Sequence, residues 1–394
     1  MPAIAVPSFS PPATQWTIAA TLAVSYSVVE TPDLLDPANP ELASTAVAGA
    51  GTTTVCLDAV VDDLHGDRIR GYFAARGVQT RYLVMDSHEE MKTIASVQDV
   101  ARGLNATGTL RATNPPVAIG GGALLDVVGL ASALYRRGVP YVRVPTTLLG
   151  QVDVSVAAKT GINFDGYRNR LGSYTPPVRT LIDRTFLATV PERHLVNGMG
   201  EILKMALVKD AHLFDLLEEH GRELVERSFD LGHVADAVIR RSITGMVEEL
   251  EPNLWEKDLR RAVDFGHSFG PLVEMRALPE LLHGEAVALD CLYSCALAVV
   301  RGLLDEEDAV RAVRVADGIG LPVTHASFAD DALLWEALAD TVRHRDGRQH
   351  LPVLTGIGTH TFLEDVTRDQ VRSATHVLGD LVQDARRVGS AQVA

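Results

Sequence analysis

From about residue 50 the chain alternates between short β-branched apolar runs and longer segments whose apolar positions recur every three or four residues. "TTTVCLDAVV" (52–61) reads as the end of a strand, "LHGDRIRGYFAARGV" (64–78) as an amphipathic helix and "TRYLVMD" (80–86) as another strand. "HEEMKTIASVQDVARGLNATG" (88–108) reads as a second helix, "PPVAIGGGALLDVVGLASALYRRG" (115–138) as strand, glycine turn and helix, and "VPYVRVPTTLL" (139–149) as a returning strand. This alternation predicts a mostly parallel sheet with helical crossovers. After "TPPVRTLID" (175–183) the two-residue period almost stops, and long helical patterns follow at 193–221, 233–251 and 283–304. The change of grammar near 184–190, marked by a proline and a helix start, predicts a domain boundary there. Upstream, "WTIAATLAVSYSVVE" (16–30) alternates as one or two strands, and the proline-rich "MPAIAVPSFSPPAT" (1–14) reads as a loose leader. The expected organisation is a flexible leader over 1–20, an α/β domain over 21–187 and an all-α domain over 188–394.

Composition narrows this picture. Of 394 residues 46% are apolar and only 5% aromatic, a balance that suits helices packed on a buried sheet. A formal net charge of −15 argues against a nucleic-acid or anionic-membrane partner. Cys56, Cys291 and Cys295 form no CxxC pair, the first basic residue is Arg68, and no uninterrupted apolar run reaches the roughly 20 residues that span a bilayer. These features predict a cytoplasmic protein with reduced thiols.

Five places carry candidate chemistry. Gly120, Gly121 and Gly122 follow a strand and open a helix, where backbone could approach a pyrophosphate; a tight turn without ligand reads equally well. Asp58 ends an earlier strand, where a carboxylate could take ribose hydroxyls or simply face solvent. In "VDVSVAAKTGIN" (152–163), Asp153 and Lys159 sit among small residues that leave room for a ligand, or form a surface ion pair. Glu201 and Lys204 are three apart on a predicted helix and share a face, as an intrahelical salt bridge would. His267 and His283, joined to Glu201, make a two-histidine, one-carboxylate set of the kind that suits a catalytic zinc with an open position. Beside a nicotinamide, such an ion suggests hydride chemistry at a carbinol carbon.

The ordered motifs "GGGALLDVVGLASALYRRG", "VPTTLLGQVDVSVAAKTGIN", "RNRLGSY", "ERHLVNGMGEILKMAL", "DFGHSFG" and "LLHGEAVALD" together resemble the sugar phosphate cyclase superfamily over about residues 50–365. The best-known member of that superfamily is 3-dehydroquinate synthase. The resemblance implies a Rossmann-like NAD-binding α/β domain, a helical C-terminal domain and an active site between them. It also implies zinc, or cobalt in its place, on Glu201, His267 and His283, and NAD on Asp58, Glu89, Lys92, Gly121, Gly122, Asp126, Thr146 and Thr147. Substrate is implied on Asp153, Lys159, Asn169, Lys204 and Arg260. Arg136 matches an arginine that reaches the substrate phosphate from a neighbouring subunit, so a homodimer is implied.

Departures from dehydroquinate synthases sharpen the expectation. Asp264 stands where they carry asparagine, Pro271 where they carry the second histidine of GHxxxH, Met246 where a lysine is expected, and His350 in place of a lysine near the C-terminal end. Two like charges about 4 Å apart repel by about 4 kcal/mol at an effective dielectric of about 20, so the added carboxylate disfavours a heptulosonate phosphate. The pattern resembles the sedoheptulose 7-phosphate cyclases, nearest the 2-epi-5-epi-valiolone synthases, with the 2-epi-valiolone and desmethyl-4-deoxygadusol branches as alternatives. The implied reaction is transient NAD-dependent oxidation, phosphate elimination, re-reduction and intramolecular aldol closure. A dehydroquinate synthase, a polyol dehydrogenase of the glycerol dehydrogenase kind and a non-catalytic NAD-binding sensor are the remaining readings.

Overall fold

Six strands lie wholly parallel in the order β1-β8-β5-β4-β2-β3, where β1 is Ser27–Glu30, β2 Thr52–Asp58, β3 Gln79–Met85, β4 Val117–Gly120, β5 Val142–Pro145 and β8 Arg179–Ile182. The structure is a computed structural model and describes residues 15–47 and 52–393. Crossover helices α1 (Glu41–Ala46), α2 (Ala59–Ala75), α3 (Ile94–Ala106) and α4 (Gly122–Leu134) return the chain between strands. Side chains alternate across a pleated strand, so Val55 and Leu57 join one core with Val117, Ile119, Val142 and Val144, while Cys56 and Ala118 join the other beneath α3 and α4. Both faces are covered, which is why these strands read as nearly continuous apolar runs. Strand order reverses between β2 and β4, and the carboxyl ends of those two strands carry Asp58 and the glycine turn. A crevice outside that reversal is where open α/β sheets take ligands.

The helical part begins with α5 (Glu192–Lys209) and α6 (Ala211–Glu226) and continues through α7 (Gly232–Leu250), α8 (Gly270–Ala277), α9 (His283–Val300), α10 (Glu306–Ile319), α11 (Asp331–His344) and α12 (Arg368–Val393). α9 is long and apolar enough to cross a membrane, yet it is a core helix: 83% of it is buried, against α5, α8, α10 and α12. α5 and α9 cross at glycines. A Cβ on Gly200 would stand 2.0 Å from the Gly284 carbonyl oxygen, and one on Gly284 would stand 1.8 Å from the Asn197 carbonyl oxygen.

Several expectations change. Of the strands expected over 16–30, only Ser27–Glu30 forms, because its partner β8 offers four residues to pair with; Trp16, Ile18 and Leu22 upstream are exposed. Residues 1–14 of the expected leader lie outside the described residues. The helix expected over 88–108 breaks at Lys92: a single turn, Glu89–Met91, precedes α3, which starts afresh because the Thr93 hydroxyl accepts the Ser96 amide at 3.2 Å. Two antiparallel hairpins accompany the main sheet, β6 (Lys159–Phe164) with β7 (Tyr167–Tyr174) and β9 (Leu351–Gly356) with β10 (Thr359–Leu363), the latter among the C-terminal helices. The first turns at Asp165–Gly166, both with positive φ, a pairing that Asp-Gly supplies readily.

Replacing Gly284 by alanine tests the α5–α9 crossing. Helix propensity alone would favour alanine by about 1 kcal/mol. The backbone clash instead predicts a net loss of about 1–3 kcal/mol, read as a lower urea midpoint at unchanged slope. An unchanged or raised midpoint refutes the close crossing.

Candidate active site

A cleft of about 970 Å³ runs from the crevice at the ends of β2 and β4 to the first turns of α5 and α9. On the sheet side Asp58 caps α2, accepting the Val60 and Val61 amides at 2.8 and 3.2 Å, with the Ser87 hydroxyl on its other oxygen. Gly121 is the residue before α4, and a Cβ on Gly122 would crowd Val154 at 3.1 Å, so the turn leaves bare backbone at a helix start. Lys92 is buried between Asp126 (2.8 Å) and the Asn169 side-chain oxygen (2.6 Å), with Glu89 at 3.6 Å. Burial would raise the Glu89 carboxyl, but Arg168, Lys92 and the Asn163 amide hold it down to about 2. Thr146 and Thr147 line the same wall. This half offers a carboxylate, glycine-bared backbone and a helix N-terminus, the groups a dinucleotide needs.

Across the cleft, Glu201 lies beneath the surface on α5 with both carboxylate oxygens buried and neither in a hydrogen bond of good geometry. Its neighbours are the Lys204 ammonium, His283 Nε2 at 3.1 Å and His267 Nε2 at 3.7 Å. One ligand atom from each of Glu201, His267 and His283 falls within a 4.8 Å group. An orphaned buried carboxylate facing two imidazoles fits a zinc or cobalt ion. His283 is the first residue of α9; His267 sits in the loop before α8, which is pinned because Asp290 accepts the Phe269 and Gly270 amides, each at 2.7 Å.

Charges around this group are coupled. Burial would raise the Glu201 carboxyl, but Lys204 and the two histidines hold it well below the ordinary range. Burial would lower the Lys204 amine, but Glu201 and Asp153 keep it above its usual value. Burial and then Glu201 push Asp153 up; it sits on a π-helical turn, Gly150–Val154, that bulges into the cleft. Burial, reinforced by Lys204, lowers the His267 imidazole to about 3, so it is neutral. Burial and Arg168 would lower His283, but Glu274 and Glu201 outweigh them and raise it to about 9.

The structure gathers Asp153, Lys159, Asn169, Lys204 and Asp264 around the cleft with the proposed cofactor residues. Arg260 and His350 stand elsewhere, while Arg136, expected to serve a neighbouring subunit, lies outside the cleft of its own chain. Arg260 points outward over the Phe362 ring at 5.0 Å, and it is Arg261 that faces the cleft; the extended backbone at 261 (φ −120°, ψ 126°) sends neighbours to opposite sides. His350 is buried away from the cleft, with Nδ1 2.7 Å from Glu364. Arg136 is exposed against its own Tyr135 ring. The expectation for Asp264 also changes, because it is no bare charge: burial would raise it, but Arg261 and Arg345 hold it at about 2, the latter at 3.4 Å. The simple two-charge repulsion therefore does not apply.

Residues that the sequence reading missed complete the cleft. Arg168, one position before Asn169, reaches Glu89 (3.5 Å), Glu274 (3.3 Å) and His283 Nδ1 (2.8 Å). Glu256 takes Lys159, Arg261 and the Tyr174 hydroxyl (3.0 Å); burial and that acid push the Tyr174 phenol up to about 12. An acid in "NLWEKDL" is a weak signal, legible only once the loop is folded.

Comparison with known proteins agrees with this geometry. The 3-dehydroquinate synthase N-terminal family matches residues 82–197 and the 3-dehydroquinate synthase C-terminal family residues 198–343. The chain is 50% identical over 374 residues to a 2-epi-5-epi-valiolone synthase of Streptomyces hygroscopicus subsp. jinggangensis, covering 93% of this chain and 90% of that one. It is 45% identical over 377 residues to a 2-epi-5-epi-valiolone synthase of an Actinoplanes species, covering 94% of each. The solved structure of the Streptomyces hygroscopicus enzyme ValA, with NAD+ and Zn2+ bound, superposes with a TM-score of 0.89 over 93% of this chain and 99% of that one.

The raised His283 makes metal uptake pH-dependent. Below about 9 the metal-free ring carries a proton on the nitrogen facing Glu201, and ligation must displace it. Zinc titration of the stripped protein at pH 7.5, by calorimetry in buffers of different ionisation enthalpy, is expected to release about one proton, and apparent affinity to fall as pH drops. Release that is absent at pH 7.5 contradicts this charge assignment.

Proposed function

The chain belongs to the 3-dehydroquinate synthase family, and from that premise we propose that it is a 2-epi-5-epi-valiolone synthase, closing sedoheptulose 7-phosphate to a cyclitol with release of phosphate. The observation that carries this reading is the buried Glu201 carboxylate, set with His267 and His283 in one cleft with the dinucleotide crevice. Identity of 45–50% to enzymes of that name supports the branch. In this reading residues 21–187 bind NAD and residues 188–394 hold the metal and substrate.

Bound there, NAD+ supplies an acceptor that takes and returns one hydride at the C5 carbinol, and zinc supplies a Lewis acid for that carbinol oxygen. The chain's own groups do the rest. Lys204 and Asp153, fixed beside Glu201, orient the hydroxyls flanking C5. Lys159, half exposed at the mouth with Glu256, is placed to meet the phosphate. In this reading the departing phosphate itself takes the C6 proton, which is compatible with Pro271 lining the cleft without a proton-accepting side chain. After the hydride returns to C5, the bond between C2 and the ring oxygen breaks, which frees the C2 carbonyl and a C6–C7 enol, and C7 attacks C2, with Asn169 near Lys92 and Tyr174 near Glu256 as the polar wall. In this reading the enzyme is a homodimer in which Arg136, exposed and outside the cleft of its own chain, meets the substrate phosphate of a neighbouring subunit. Three buried thiols suit a cytoplasmic location.

Asp264 has a defined part in specificity. Paired with Arg261 and Arg345, it occupies guanidiniums that a substrate carboxylate would otherwise claim. A neutral-headed ketose phosphate makes no such demand.

Incubation with sedoheptulose 7-phosphate and, in parallel, the carboxylate-bearing heptulosonate 7-phosphate decides the reading. Phosphate release is expected from the first, at a kcat/KM at least roughly tenfold higher than from the second, a gap of about 1.4 kcal/mol, and without NADH accumulation at 340 nm. Product configuration follows by NMR. Glu201→Ala and His267→Ala are each expected to abolish turnover and zinc retention together. Stoichiometric NADH build-up identifies a polyol dehydrogenase instead.

A further inference from the structure

Strand β5 buries an arginine on a face where its neighbours are small. Cys56, Ala118, Arg143 and Thr180 lie side by side across β2, β4, β5 and β8, on the face that packs beneath α3 and α4. Arg143 is wholly buried, and among the described residues it forms no ion pair. Withdrawing a guanidinium from water without a carboxylate is costly unless other oxygens replace the lost solvent. Here Nη1 donates to the Val154 and Ala157 carbonyls at 2.7 and 2.6 Å, and Nη2 to the Lys159 carbonyl at 3.0 Å.

The other carbonyls of that stretch are caught as well. Thr180 Oγ1 donates to Ser155 at 2.9 Å, the Tyr26 hydroxyl to Val156 at 2.6 Å and the Thr175 amide to Ala158 at 2.8 Å. Six consecutive carbonyls, 154–159, thus meet donors from outside the stretch, three of them from one side chain. Asp153 immediately precedes the stretch and Lys159 ends it. Both line the cleft, and Arg143 does not.

We propose that Arg143 is a positioning residue that fixes the spacing of Asp153 and Lys159, and with it the place of the substrate hydroxyls relative to the phosphate. The inference rests on the roles given to those two residues in the proposed function. Arginine suits the task because its planar fork reaches separate oxygens along the stretch, whereas a lysine ammonium acts from one point.

The test combines phosphate release from sedoheptulose 7-phosphate with hydrogen exchange of the full chain, for wild type, Arg143→Met and Arg143→Lys. In Arg143→Met, kcat/KM is expected to fall by about 10–100-fold, because a shift of about 1 Å in groups that orient a substrate can cost about 100-fold. Amides over residues 153–161 should exchange faster, while those of β2 and β4 keep their protection. Arg143→Lys retains the charge without the fork and should fall between the other two on both measurements; it carries the comparison if Arg143→Met does not fold. A double-mutant cycle separates positioning from general weakening: in a Lys159→Ala background the penalty of either substitution should shrink by at least about twofold. Exchange over 153–161 that is unchanged in both variants overturns the anchoring. Faster exchange with unchanged kcat/KM, or a penalty of full size in the Lys159→Ala background, overturns the positioning role. If the wild type releases no phosphate from sedoheptulose 7-phosphate, the proposed function falls and the catalytic half of this inference with it, while exchange still decides the anchoring.

Discussion

A carboxylate buried in the middle of a helix is the constraint around which the rest of this structure is arranged. Withdrawing such a group from water costs several kcal/mol unless charge and hydrogen bonds are returned to it. Glu201 recovers the charge from Lys204 on the next turn and from the His283 imidazole, with neutral His267 beside it, yet its oxygens remain without good hydrogen bonds. A fold that only needed stability would place an apolar residue there. Retaining the acid makes sense where a cation completes the group, and the neighbouring elements are shaped to hold that geometry. The Gly200–Gly284 crossing brings Glu201 and His283 together, and Asp290 fixes the loop that presents His267.

The β6–β7 hairpin joins the sheet to the helices across the cleft. Lys159 at its start reaches Glu256, Arg168 reaches Glu274, Arg170 reaches Asp340 at 2.5 Å and Tyr174 at its end reaches Glu256. Exposed ion pairs contribute little, but Arg168, Glu274 and Glu256 are largely buried, so these contacts fix orientation. The hairpin thereby carries the cofactor wall and the metal wall as one unit. Asn169 meets Lys92 on one side while its neighbour Arg168 meets His283 on the other. Hydride transfer requires such registration, because reacting atoms must sit within about 3–3.5 Å.

Much of this was legible in the chain itself, and the failures have physical causes. The parallel sheet followed from strands alternating with helical segments, and the metal set from residue types that suit one ion. Asp165–Gly166 carries a hairpin signal, but Arg168, Asn169 and Arg170 interrupt the apolar period of the segment that follows it. The break at Lys92 was hidden because Thr93 fits a helix pattern as well as it caps one. Arg260 and Arg261 are indistinguishable by type; only the extended backbone at 261 decides which faces inward. Glu274 and Glu256 lie far in sequence from the groups they serve, so no local pattern marks them.

Asp264 shows why counting charges along a sequence misleads about specificity. Read alone, an added acid repels an acidic substrate. In the fold it is neutralised by Arg261 and Arg345, and Glu256 takes a further share of Arg261. In the proposed function, a preference for a neutral head group would arise from saturation: the guanidiniums that would recognise a carboxylate are already engaged by the protein. A carboxylate-bearing substrate would have to displace a buried internal pair, while a hydroxylated one needs only hydrogen bonds to groups left free.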